Sequence, residues 1–357
     1  MRIIAHFDMD AFFAAIEERD NERFRGLPIV VGADPRDGRG RGVVSTANYK
    51  AREYGIHSAQ PISIAWKLAQ SAKNTGKPAV IFLGVNMDKY RKVSEKVMAI
   101  MRQHIPKVEE ASIDEAYGDL SFAGSYKKAE TICKKIKTEI RKQEKLTVSV
   151  GIAHNKFISK IASGIEKPNG LVIIKEKEAE KFLEPLPVRA IPGVGPKTET
   201  VLIKEKVRTV KDLKRFSREE MIQLLGKLGA TLYERARAID RSPVKEEIIL
   251  KSIGEEETFL EDSGDPNFVF ERMMALVSAV YDRFQESGFK SFRTITVKIR
   301  FSDFETKNRA HTFLQPISNC EAIQLYTYRL TLPFFDKREN PRRKAIRLIG
   351  IRLEKLS

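Results

Sequence analysis

Residues 2–13 read R-I-I-A-H-F-D-M-D-A-F-F, and residues 110–117 read E-A-S-I-D-E-A-Y. The run from Arg2 to Phe7 is apolar but too short for a helix, so it reads as a buried strand that ends at Asp8. A helical pattern follows from Ala11 to Arg19. Glu110 to Leu120 reads as a second strand or hairpin, carrying Asp114 and Glu115 inside an apolar context. Carboxylates at the exit of a buried strand are costly unless cations neutralise them. Strands that end in acids and are interleaved with helices predict an α+β core domain.

Outward from these two stretches the alternation continues. Pro28–Val31 and Gly42–Ser45 read as strands, joined by a Gly/Asp/Arg-rich loop. Asn86 is a helix cap for a stretch in which Tyr90, Val93, Val97, Ile100 and Met101 recur at helical spacing. Tyr126, Ala129, Ile132, Cys133, Ile136 and Ile140 mark another amphipathic helix, and Val148, Val150 and Ile152 alternate as a strand. The texture changes at Lys167-Pro168-Asn169-Gly170, after which residues 175–240 read as mostly helical with short loops. Residues 241–250 are charged, contain Pro243 and read as a linker. Beyond them Ile295, Val297, Ile299 and Phe301 alternate with Thr294, Thr296, Lys298 and Arg300 as a half-buried strand. A similar strand spans about Ala345–Leu353 and carries Arg347 and Arg352.

The 357 residues include 64 Lys+Arg against 48 Asp+Glu, a net charge of +16. The excess is spread along the chain rather than confined to a tail, which suits contact with a long polyanion; a lysine-rich solvated surface is the plainer account. Cys133 and Cys320 stand far apart, so neither a disulfide framework nor a zinc site is expected and a reducing cytoplasm fits. No run of about 18 apolar residues occurs, so no membrane span is expected. Gly38-Arg39-Gly40-Arg41-Gly42 lacks the G-K-[ST] ending of a phosphate loop and reads as a flexible hairpin connection. The five histidines show no ligand spacing. Trp66 and the phenylalanines read most simply as core.

Two acidic sites on neighbouring strands, Asp8/Asp10 and Asp114/Glu115, could hold two hard cations roughly 3.5–4 Å apart, the arrangement of in-line phosphoryl transfer. Mg²⁺ suits few carboxylates, with phosphate and water completing its octahedron. The competing account is that these acids cap turns or pair with the abundant lysines and arginines. Two other classes compete as well. A haloacid-dehalogenase-like phosphatase also opens with strand and D-x-D, but wants Thr or Val where Ala11, Phe12 and Phe13 stand. A non-catalytic DNA-binding protein leaves Asp8, Asp114 and Glu115 without a purpose.

F-D-M-D-A-F-F-A-A-I-E from Phe7, V-V-S-T-A-N-Y-K-A-R at 43–52, S-I-D-E-A-Y at 112–117 and G-I-A-H-N-K-F-I-S-K-I-A-S at 151–163, followed by K-P-N-G, closely resemble the Y-family DNA polymerases, nearest the DinB or polymerase IV-like branch. The motifs stand in the family's order across nearly the whole chain. The resemblance implies a right-hand architecture: a palm of residues 1–10 and 78–166, small fingers at 11–77, a thumb at 167–240, the linker 241–250 and a little finger at 251–357. It implies addition of deoxynucleotides to a primer 3′-hydroxyl, low fidelity and tolerance of damaged templates, by a chain expected to be monomeric. Asp8, Asp114 and Glu115 match its catalytic carboxylates, with the carbonyl of Met9 a further ligand of two Mg²⁺ ions; Asp10 matches a motif position with a structural role. Tyr49, Arg52 and Lys160 match the positions that hold the triphosphate. Phe12 and Phe13 lie beside the nucleotide, Phe13 as the steric gate against a 2′-hydroxyl. The turn around Gly193 and Gly195 resembles the thumb's helix-hairpin-helix, a grip on duplex phosphates. Lys298, Arg300 and Arg347 match the DNA-facing side of the little finger. Family members often end in a Gln- and Phe-containing peptide that binds the sliding clamp. Residues up to Ser357 show no such peptide, so the clamp remains a partner of the family without a visible motif here.

Overall fold

The computed structural model describes residues 1–247 and 250–357. Its contacts form two compact units: Met1–Gly32 with Val44–Gln60 and Leu68–Glu247, and Ala33–Val43 with Pro61–Lys67 and Ile248–Ser357. In chain order the strands of the described residues are β1 (Ile4–Met9), β2 (Ile29–Gly32), β3 (Val44–Ala47), β4 (Ile81–Leu83), β5 (Val108–Glu110), β6 (Glu115–Asp119), β7 (Val148–Ala153), β8 (Leu171–Ile174), β9 (Ser252–Ser263), β10 (Phe292–Phe301), β11 (Thr306–Ile317) and β12 (Ile346–Glu354).

The first unit is built on a sheet of order β5-β6-β1-β7-β8, with β1 central and antiparallel to both neighbours. Along β1 the side chains alternate between faces. Ile3, Ala5, Phe7 and Met9 join a core with the helices Met87–His104 and Tyr126–Glu144, through Tyr90, Val97, Met101, Cys133, Ile136 and Ile140. The predicted helix cap is in place, with Asn86 Oδ1 accepting from the Lys89 amide at 3.1 Å. Ile4, His6 and Asp8 take the opposite face. There the helix Lys156–Ser163 lies close over the sheet, and Gly151 makes that approach possible: a Cβ at Gly151 would come within 2.1 Å of the Ser159 carbonyl oxygen. That helix continues the core into the helical segment through Phe157, Val188, Leu202, Leu213 and Leu232. A smaller sheet of order β3-β2-β4 completes the unit.

The stretch predicted as a linker is docked in its described first half, while Ile248 and Ile249 lie outside the described residues. Val244 is buried against Ile4 and Tyr117. The Lys245 amide donates to Glu109 at 2.8 Å, and the Arg2 guanidinium donates to the carbonyls of Asp240 and Ser242. One apolar residue inside a charged run is enough to anchor it.

The second unit holds an antiparallel sheet of order β11-β10-β12-β9. Ile295, Val297, Ile299 and Phe301 are buried with the helices Pro266–Glu286 and Cys320–Thr331, so the period-two reading of β10 gives the correct inner face. The Gly/Arg loop predicted as a flexible hairpin is held here: Gly38 and Gly40 amides donate to the Pro35 carbonyl at 2.8 Å, and Arg41 donates to the Phe259 carbonyl and to Asp262. The assignment of Trp66 and every phenylalanine to the core needs correction, since Phe122 and Phe268 are exposed. Trp66 is only half-buried, and Phe304 is exposed, lying under the Arg347 guanidinium at 4.6 Å. Among the described residues, no helix is long and apolar enough to cross a membrane.

Candidate active site

Register brings two of the predicted carboxylates, Asp8 on β1 and Glu115 on β6, directly opposite each other, and the Met9 amide donates to the Asp114 carbonyl at 3.0 Å. A tight turn precedes β6: the amides of Ala111 and Ser112 both donate to the Glu115 carbonyl, and Ser112 Oγ donates to Asp114 Oδ1 at 2.6 Å. The Asp8 and Glu115 carboxylates therefore share one edge of one face, a few residues from the covering helix.

Two lysines meet them there. Lys160, on the helix over Gly151, reaches Glu115 Oε2 at 2.5 Å, and Lys167 forms an ion pair with Asp8. The two acids respond in opposite directions. Burial outweighs the Lys167 charge and pushes the Asp8 carboxyl up to about 6. The His6 ring beside Glu115 and, through the shorter contact, the Lys160 ammonium hold Glu115 down at about 2 despite partial burial. One environment thus favours a neutral acid and its neighbour favours an anion. His6 is fully buried; its Nδ1 lies 2.8 Å from Ser163 Oγ and its Nε2 lies 3.6 Å from Glu115 Oε2, without a hydrogen-bond partner. Burial lowers its pKa, which favours the neutral ring.

Asp10 is buried and points away from this edge. Its Oδ1 accepts from Ser149 Oγ at 2.8 Å and from the Tyr49 hydroxyl at 3.3 Å, and its Oδ2 accepts from the Asn169 amide at 2.8 Å. Tyr49 opens the one-turn helix Tyr49–Arg52, which Asn48 caps by accepting from the Ala51 amide. Arg52 lies over the Tyr49 ring at 4.7 Å and donates through Nε to the Ala47 carbonyl. Burial first, and Asp10 second, raise the Tyr49 hydroxyl, keeping it a protonated donor.

After β1, Ala11 takes a left-handed conformation, φ 47°, and the helix Phe12–Asp20 begins. That turn separates two adjacent phenylalanines. Phe12 is buried in the core, while Phe13 is half-buried and stacks on Tyr90, with ring centres 4.2 Å apart and planes within 10°. Tyr90 is itself fixed by its hydroxyl to Glu17 at 2.8 Å.

Gly193 has φ +94°, and Gly195 caps the helix Pro196–Lys204, with open space where a Cβ would stand. Arg235 closes this turn from behind by donating to the Pro192 carbonyl. In the second unit, Lys298 pairs with Glu256, Arg300 donates to Thr306 Oγ1 at 2.9 Å, and Arg347 lies 3.7 Å from Asp262.

Among the described residues, no three His, Cys, Asp or Glu side chains are gathered tightly enough to hold a metal ion. The donors at the β1/β6 edge are nonetheless hard carboxylate oxygens, the donor type that suits a hard divalent cation. In this arrangement the ammoniums of Lys160 and Lys167 supply the neutralising charge. His6 and Lys167 were not singled out from the sequence. His6 carried a usable signal, since strand alternation places it on the Asp8 face; Lys167 carried only its place in K-P-N-G.

The impB/mucB/samB family matches residues 7–164, its C-terminal domain matches 250–357, and the DNA polymerase-iota thumb domain matches 189–240. A DNA polymerase IV of Methanoculleus marisnigri is 41% identical over 355 residues, 99% of this chain and 94% of that protein. A Y-family DNA polymerase chimera of Dbh and Dpo4 superposes with a TM-score of 0.84 at 28% identity, covering 99% of both chains. An insertion ternary complex of Dbh DNA polymerase gives a TM-score of 0.68 at 28% identity, again over 99% of each.

Proposed function

The chain belongs to the impB/mucB/samB family, the DinB-like branch of the Y-family DNA polymerases, and from that premise we propose that Asp8, Asp114 and Glu115 are its catalytic carboxylates. It is a DNA-directed DNA polymerase of the translesion kind, acting on primer–template DNA and deoxynucleoside triphosphates. The observation that carries the site assignment is the direct register of Asp8 with Glu115 at the end of a buried strand, with Asp114 tied to Met9 beside them. The haloacid-dehalogenase and non-catalytic readings have no comparable support.

Y-family polymerases work with divalent metal. In our reading Asp8, Asp114, Glu115 and the Met9 carbonyl would hold two Mg²⁺ ions, which would supply charge stabilisation for phosphoryl transfer. The chain's own groups do the rest. Lys160 and Lys167, which pair with Glu115 and Asp8, place positive charge beside the triphosphate. Arg52 and Tyr49 add a planar charged fork and a protonated hydroxyl. Phe13, held flat by Tyr90, occupies the space that a 2′-hydroxyl would need. The helix-hairpin-helix turn at Gly193 and Gly195 offers backbone amides to the duplex, and Lys298, Arg300 and Arg347 give a second, sequence-independent grip.

The test is primer extension with Mg²⁺ by the full chain and by Asp8→Ala, with DNA binding measured in parallel. Extension is expected to vanish while binding persists. Near wild-type extension by Asp8→Ala overturns the assignment.

A further inference from the structure

The turn Lys167-Pro168-Asn169-Gly170 carries the lysine that meets Asp8, and three side chains behind it hold the turn in place. Asp10 accepts from the Asn169 amide, and Ser149 Oγ accepts from the Gly170 amide at 3.2 Å. Lys137, from the middle of the helix Tyr126–Glu144, donates to Asn169 Oδ1 at 2.9 Å, to the Gly170 carbonyl at 3.1 Å and to the Val148 carbonyl.

Lys137 is unusual in this lysine-rich chain. Among the described residues, no carboxylate lies within ion-pair distance of it. An ammonium has three N–H donors, and here each is directed to a neutral oxygen of the turn or of the adjoining strand β7. A half-buried lysine held in this way costs desolvation without a direct ion pair in return, and burial lowers its pKa. A surface lysine with a purely solvating role would not be placed so. The same turn is tied through Asp10 to the Tyr49 hydroxyl, so one buried carboxylate joins it to the helix Tyr49–Arg52.

We propose that Lys137 is a positioning residue for nucleotide binding: its ammonium braces the Asn169–Gly170 backbone from behind, and so fixes where Lys167 stands at the Asp8 edge. The inference rests on the reading that this edge receives the triphosphate. Without the brace, Asn169 and Gly170 keep only Asp10 and Ser149 as side-chain anchors, and Lys167 samples positions away from the site. Lys137 itself touches neither nucleotide nor primer in this account.

A double-mutant cycle separates this role from a contribution to folding. Nucleotide affinity is measured with the full chain on a dideoxy-terminated primer–template, where no addition follows, alongside steady-state kcat and KM on an extendable primer. Lys137→Met should weaken nucleotide affinity by about tenfold, the scale of a lost supporting contact, with kcat changed far less. Lys137→Arg should recover most of the loss. Lys167→Ala should weaken affinity at least as much, and the double variant should bind no worse than Lys167→Ala alone. Independent effects that multiply, or a lowered Tm with unaltered affinity in Lys137→Met, overturn the proposal. If Lys137→Met does not fold, Lys137→Gln takes its place in the same cycle. If Lys167→Ala alone leaves affinity untouched, the reading of the edge as the triphosphate site fails, and this inference fails with it.

Discussion

Both units set basic side chains against acids, and the two settings differ in kind. In the N-terminal unit, Asp8 is 19% exposed beside Lys167, and a fully buried histidine lies behind Glu115. In the C-terminal unit, Lys298 meets a Glu256 that is 45% exposed on a sheet face away from the helices. Water screens the second pair and lets it exchange, so such a contact contributes roughly 0–1 kcal/mol. The first setting cannot relax in that way. Its acids must be neutralised by something close, and their pKa values are driven apart, to about 6 for Asp8 and about 2 for Glu115. The proposed roles follow that difference: chemistry at the less exposed edge, and a reversible grip on DNA at the exposed paired face.

Single substitutions should therefore have unequal effects. Asp114→Ala should lower nucleotide addition by a factor on the order of 10³ or more, because several kcal/mol of charge stabilisation depend on the assembled site. Its affinity for primer–template should stay near wild type, since most of that comes from basic groups elsewhere. Replacing Lys298, Arg300 and Arg347 together by Ala should do the reverse. Single additions at saturating DNA should survive, affinity should fall, and the slope of log affinity against log salt should shrink by about one per residue removed. Quench-flow addition and salt-titrated binding on both variants would break the contrast if Asp114→Ala lost its DNA or the triple variant lost its chemistry.

The adjacent phenylalanines sharpen the contrast on a finer scale. Phe13→Ala should lower discrimination against ribonucleotides by about 10²-fold, within the range that pocket shape alone can set, while still adding deoxynucleotides. Phe12→Ala should leave sugar choice alone and cost about 3–5 kcal/mol of stability, as a fully buried aromatic does. Paired ribo- and deoxynucleotide efficiencies with thermal unfolding decide it. Unchanged discrimination in a folded, active Phe13→Ala protein places the gate elsewhere.

What the sequence makes legible follows from the range of its signals. Ile295, Val297, Ile299 and Phe301 reveal the inner face of β10 because alternation is a property of one strand. Asn86 reveals a helix start because the cap bonds to its own helix. Asp8, Asp114 and Glu115 stand out because acids in apolar strands conflict with their surroundings. Contacts across long separations leave no such trace. Asp10 meets Asn169 from 159 residues away, Lys137 meets Gly170 from 33, and nothing in either local pattern names the other. The docking of Val244 is hidden for the same reason, since a charged context with a proline reads as a linker and nothing in it names Ile4 or Tyr117. His6 stands between these cases. Its face is legible from Asp8 by alternation, but its burial depends on Gly151 admitting a helix overhead.

The smallest effect concerns the acids of the C-terminal face. If Lys298 grips DNA, Glu256 competes with phosphate for it, and every binding event must first separate that pair. Glu256→Gln removes the competitor while preserving size and polarity. It also removes a negative charge that a nearby phosphate would oppose. Both consequences have the same sign, so affinity for primer–template should rise. The gain should be no more than a few-fold, because an exposed pair contributes roughly 0.2–1 kcal/mol. Added salt should erase it, since screening weakens the pair and the phosphate contact alike. The corresponding change at the N-terminal edge, Glu115→Gln, has no such benefit available: there the lost carboxylate strands Lys160 and, if Glu115 is catalytic as proposed, addition should collapse. Equilibrium binding of Glu256→Gln at low and at moderate salt is the measurement. Weaker binding at low salt, or a gain that persists undiminished as salt rises, would show that Lys298 is held by Glu256 for the sake of the sheet and does not reach DNA.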